Sequence, residues 1–158
     1  MKQIKNERGQ SLVELAISIT ILIFLLAGAV EFGIAFFQFV QLRDAAQEGA
    51  LYGSMNPIDL TNIEGRARGA SSSPIDLSLA APNPAKVQIY VDNVLVQENG
   101  VPTGATVSAC EGHALEVRIS FDHQIFMPFI PSFIGDDTIT LNATVTDTIL
   151  SPICQPPP

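Results

Sequence analysis

Glu14 demands an explanation before any other residue. It is a carboxylate at the mouth of an apolar block, residues 15–30, which holds no charged side chain and only two hydroxyls, Ser18 and Thr20. An acid inside an apolar segment costs on the order of 3 kcal/mol on membrane-insertion scales, and such groups are usually paired or functional. Cys110 and Cys154 are the only two cysteines. They can join in one disulfide or remain two reduced core thiols, and an even count in an oxidising compartment favours the disulfide. The loop so closed would restrain the unfolded chain by about 4 kcal/mol at most. Asp122-His123 is an acid–imidazole pair without a neighbouring nucleophile. Asp136-Asp137 precedes a strand pattern and can ligate calcium, although adjacent acids in a turn are more often solvated. Asn142-Ala143-Thr144 has the form of a glycosylation sequon. The sequence contains no GxSxG, P-loop, HExxH, EF-hand loop or GxGxxG. Without CxxC, and with both histidines isolated, a His/Cys metal cluster lacks ligands. These absences argue against an enzyme, and no cofactor, metal or small-molecule substrate is expected.

The elements that hold these residues follow from how composition is distributed. The 158 residues carry 16 acids against 8 bases, a net charge of −8. That length suits one domain, or one domain with an appendage. The acidic balance argues against nucleic acid, whose phosphates require clustered Lys and Arg. The hydrophobic content of 47% is concentrated near the N-terminus. Ahead of the apolar block, Lys2, Lys5 and Arg8 outnumber Glu7. A positive segment of this kind stays cytoplasmic and the C-terminal bulk is exported. One account is a secretory signal, with Ala27-Gly28-Ala29 as the cleavage match and Val30 as the new start. It explains neither Glu14 nor the apolar pattern that resumes at Phe32, Ile34, Ala35, Phe36, Phe37, Phe39 and Val40. A plain anchor needs only about 20 residues; it explains the length and leaves Glu14 unexplained.

A third account explains the acid. Gly9 followed by Gln10, with Glu14 fifth after the junction, resembles the processing site of type IV prepilins. In that family a membrane peptidase cuts after the glycine and frees an α-amino group. A cation and an anion in apolar surroundings are each costly alone, and pairing offsets much of the cost. The amine gains nothing from its own helix dipole, so the Glu14 of a neighbouring subunit is the better partner. The resemblance narrows with Arg8-Gly9-Gln10, Val13-Glu14-Leu15, Glu31-Phe32-Gly33 and the run from Asp44 through Gly49 to Gly53. Together these resemble the TadE-like proteins, the pseudopilins or minor pilins of the tight-adherence (Tad) pilus. Gln10, in place of the Phe usual in mainstream type IV pilins, favours that branch. The resemblance implies a structural role in pilus assembly for surface adherence. It implies other pilin subunits, a prepilin peptidase and an inner-membrane assembly platform as partners. It also implies a single-pass membrane protein whose C-terminal domain is extracytoplasmic. Competing accounts are a membrane-anchored or secreted binding or adhesin module, and a pseudopilin of a type II secretion-like system.

Residues 11–52 lack proline and read as one long helix, ending before Pro57. Its outer half carries a small-residue stripe of Ala45, Ala46, Gly49, Ala50 and Gly53, spaced to pack against this protein's own sheet or against another pilin helix. Glu31 lies on a different face from Glu14 and is expected to be solvated at the outer membrane boundary, a buried pairing role being the alternative. Phe32, Phe36, Phe37 and Phe39 crowd that boundary, facing either lipid or a filament core. The organisation expected is a cytoplasmic leader over 1–9, a helix over 10–54, a linker with a short helix over 55–85, and a β head over 86–158. Thr61-Asn62-Ile63-Glu64 fits a capping box for the short helix, and Arg66 and Arg68 read as its solvated face.

In the head, Val87, Ile89 and Val91 alternate with polar residues, and Asp92-Asn93 suits a tight turn before Val94 and Val96. Leu115, Val117, Ile119 and Phe121 form a half-buried alternation. The alternation of Ile139, Leu141, Ala143 and Val145 with threonines forms another, with a wettable outer face. The fold class is therefore α+β: a long N-terminal transmembrane and amphipathic helix packed on a small antiparallel sheet, as in pilins. The segment 124–135 is apolar but interrupted by Pro128 and Pro131. Its Phe126, Met127, Phe129, Ile130 and Phe133 either fold over the sheet edge or form an interface with a neighbouring subunit or the outer leaflet.

Overall fold

The computed structural model describes residues 8–73, 75–127, 130–152 and 154, apart from the side chains of Arg8 and Phe133. Helix α1 spans Arg8–Met55 and contains 48 residues, a length of about 72 Å at 1.5 Å per residue. Its two halves are in different surroundings. Residues 9–26 are exposed throughout, with Leu25 at 68%. The Thr20 hydroxyl donates to the Ala16 carbonyl at 2.7 Å, so this polar group is satisfied inside the helix. Cover then accumulates along one stripe through Glu31, Ala35, Gln38, Leu42, Ala45, Gly49 and Gly53. That three-to-four spacing is the signature of one helix face.

The stripe lies on a five-stranded antiparallel sheet of order β3-β2-β1-β4-β5. The strands are β1 (Lys86–Val91), β2 (Val94–Glu98), β3 (Val101–Pro102), β4 (Ala114–Gln124) and β5 (Thr138–Thr148). Asp92 and Asn93 both take positive φ, 48° and 65°, as a two-residue hairpin turn demands. Asn99 and Gly100 repeat the device between β2 and β3. The short strand β3 contains Pro102, which only an edge position tolerates. The helix-facing side of the sheet is Val87, Ile89, Val91, Leu115, Val117, Ile119 and Ala143, all buried. The threonines at 138, 140, 144, 146 and 148 face solvent. The class is α+β, as the alternation implied. The proline-bearing segment adds one feature absent from the sequence reading, a short helix α3, Ile130–Ile134.

Helix α2, Leu60–Gly69, departs from expectation twice. Thr61 does not cap it. The cap is Asp59, whose carboxylate accepts from the Asn62 backbone N–H at 3.2 Å. Glu64, the supposed reciprocal partner, points inward because it is already engaged. Its Oε2 accepts from the Gly100 N–H at 2.6 Å and the Gln97 amide at 2.8 Å, and its Oε1 accepts from Arg68 Nε at 2.6 Å. Arg68 is therefore not on a solvated face: its side chain is 10% exposed and Glu64's is 6%. The guanidinium also donates to the carbonyls of Leu77 and Ala85 and to the Asn99 side chain. Arg66 does stay outside, 3.5 Å from Glu48 and over the Tyr52 ring.

Among the described residues, four carboxylates contribute to the acid response, one of them Asp76, which the Ser78 backbone N–H holds below the usual range. The Ala114 N–H, then the His113 ring, holds Asp92 below the usual range. The Asn62 side chain, then its backbone N–H, does the same for Asp59. Gln88, then Lys86, does so for Glu98. A carboxylate whose folded pKa is depressed contributes stability above its unfolded pKa, and loses it as pH falls through the folded value. The thermal midpoint should hold above about pH 5 and decline towards pH 2. The double variant Asp59→Asn, Asp92→Asn should flatten that decline in a melt series. An unchanged acid limb would remove these groups from the account.

Candidate functional site

Two carboxylates on α1 divide the site. Gly9 and Gln10 lie in its first turns and are exposed, as is Glu14. Glu14 stands among Leu12, Val13, Leu15 and Ile17, each more than half exposed. Among the described residues no cation lies within ion-pair distance of it. Residues 1–7 of the expected leader lie outside the described residues.

Glu31 is the opposite case. It is not solvated as the sequence reading held. Its carboxylate meets His123 Nε2 at 2.9 Å and accepts from the Phe126 backbone N–H at 3.2 Å. His123 has 1% of its surface exposed, and its Nδ1 faces the Gln38 side chain at 2.6 Å. Glu31 and Gln38 are seven residues apart on α1 and so share a face. The signal was present in the sequence: His123 continues the inward row of Leu115, Val117, Ile119 and Phe121, and is therefore a buried polar residue in need of partners.

The register of helix on sheet follows. A Cβ added at Gly53 would fall 2.8 Å from Leu115 Cδ2, and one at Gly49 3.0 Å from the Ala67 Cβ and 3.5 Å from Val117. With His123 against Gln38 and Glu31, β4 runs antiparallel along α1 and ends beside Glu31. Ala45, Ala46 and Ala50 have no exposed surface. In this chain the small-residue stripe thus faces its own sheet and α2.

Of the apolar loop, Phe126 is 69% exposed, while Met127 and Ile130 are half-buried. Phe129 and the side chain of Phe133 lie outside the described residues. Cys110 and Cys154 are bonded, with Cα atoms 4.3 Å apart, tying the segment after β5 to the approach to β4. Asp136 uses its carboxylate on Thr138 at 3.4 Å. Among the described residues, no three His, Cys, Asp or Glu side chains gather closely enough to hold a metal.

The architecture defines a class: an α+β head carried on one apolar helix long enough to cross a membrane. Residues 9–51 match the family model described as TadE-like protein. That stretch, 43 of the 158 residues and all within α1, is similar to TadE-like proteins, a pilus-related family. No curated protein and no solved structure matches the chain.

Proposed function

We propose that the chain is a structural pseudopilin, or minor pilin, that takes part in assembling a Tad-type pilus. The peptide bond after Gly9 is cut by a prepilin peptidase, and the new amine of Gln10 pairs with Glu14 of an adjoining subunit. The exposed half of α1 stays in the inner membrane until the assembly platform transfers it to the filament, and the head lies outside the cytoplasm. The observation that carries this reading is Glu14: an acid without a cation partner among the described residues, in the exposed apolar half of α1 and inside the TadE-like stretch. A lone anion there is costly, and a cation from a second molecule relieves it. N-terminal sequencing of protein recovered from its native envelope tests the reading. A start at Gln10 is expected. A start at Val30 makes it a secreted module, and an intact Met1 makes it a simple anchor.

A further inference from the structure

We infer that the apolar side chains described at the Glu31 end of the head, led by Phe126, form a second membrane contact, an apolar foot resting on the outer leaflet. The inference rests on the membrane-anchored reading of α1. Residues 11–30 supply the roughly 20 residues, about 30 Å, that a hydrocarbon core requires. Glu31 is the first charge after Glu14 and so marks the outer edge of that core. The head is fastened at this level: His123 and the Phe126 N–H both bond the Glu31 carboxylate. His123 and Phe126 therefore sit level with Glu31, at a height set by direct contact with α1.

Two further observations make lipid the occupant of this surface. Apolar side chains are displayed at this height from separate elements: Phe126 and Ile139 at 69 and 43% exposure from the head, and Phe32 and Phe36 at 72 and 57% from α1. Ile139 stands opposite His123 in the β4–β5 register, which places it beside the same boundary. Among the described residues, the N–H of Ile125 donates to the Asp137 carbonyl, that of Ile130 to the Met127 carbonyl and that of Gly135 to the Pro131 carbonyl, which leaves fewer backbone groups to desolvate at a lipid surface. Asp136 and Asp137 flank the foot, so it rests on zwitterionic lipid by apolar contact, about 5–10 Å into the interface.

The chain has no tryptophan, so single Trp substitutions report depth cleanly. The experiment places the full chain in phosphatidylcholine vesicles carrying bromine either high or low on the acyl chains. Leu22→Trp reports the span, Phe126→Trp the foot, and Val101→Trp, on exposed β3, the far side of the sheet. Emission of the foot variant should fall about two-fold with the high bromines, as shallow burial requires. The span variant should respond most to the low bromines, and the β3 variant to neither. If the span variant is quenched and the foot variant is not, the foot is refuted while the anchor stands. In that case a blue-shifted foot emission that depends on protein concentration assigns the surface to a second copy. If the span variant is unquenched as well, the anchored reading itself falls. Phe126 is exposed, and equal melting temperatures of variant and parent show that the fold is kept.

Discussion

Arg68→Met is expected to lower the head's folding stability by about 3–5 kcal/mol, the usual cost of stripping one partner from a buried ion pair. The reason lies in what remains. Glu64, 6% exposed, keeps its contacts to Gly100 and Gln97 but loses its cation. The carbonyls of Leu77 and Ala85 lose a donor at 2.7 and 3.0 Å. Those carbonyls belong to the segment joining α2 to β1, so the damage spreads from a helix to the loop it pins. Urea unfolding of the detergent-solubilised chain should show a lower midpoint at an unchanged slope. Glu64→Leu combined with Arg68→Met should recover only the part due to the lone buried carboxylate, because the carbonyls of Leu77 and Ala85 still lack their donor and the Gly100 N–H loses its acceptor. A single-variant cost under about 1 kcal/mol would mean that the pair behaves like a surface one.

That network marks where sequence reasoning stops. Periodicity located α1, the inward rows of β1, β4 and β5, and the Asp92-Asn93 turn, because each is a local repeat read against one solvent boundary. Arg68 and Glu64 carry no such signal. Each looks like an ordinary charge on a short amphipathic helix, and only the β2–β3 turn, some thirty residues on, buries them. The cap at Asp59 was missed for a related reason. Thr61-x-x-Glu64 has the right spacing, but Glu64 is withdrawn into the core by partners distant in sequence. Glu31 failed differently. Charge at a membrane boundary reads as solvated unless a partner is known, and the partner, His123, lies ninety-two positions away. It was nonetheless legible from the other side, as the next inward position of an already recognised strand. Glu14 could be singled out at once, because its anomaly is local: one acid beside an uncharged block.

The contrast between the two helix acids makes the last prediction sharp. Glu31 is satisfied inside its own chain, by His123 and the Phe126 N–H, so its removal loosens the head from α1. Glu14 has no cation partner among the described residues, so its removal should leave the fold and membrane insertion untouched. Under the pilin reading, Glu14→Gln keeps shape and hydrogen-bonding capacity but leaves the Gln10 amine of the adjoining subunit as a lone cation in apolar surroundings. Breaking such a pair costs about 3–5 kcal/mol, a loss of roughly two to four powers of ten in the association constant at 1.4 kcal/mol each. The sheared filament fraction should therefore be nearly empty of the variant, while the membrane fraction holds as much as the parent and its N-terminus still begins at Gln10. The Glu14→Asp variant keeps the charge but shortens its reach, and should give an intermediate yield. Filaments containing parental amounts of Glu14→Gln would show that the amine has another partner. A variant that fails to be processed would place Glu14 in peptidase recognition instead of register. Because the carboxylate projects from an exposed flank of α1, neither result can be attributed to a misfolded head.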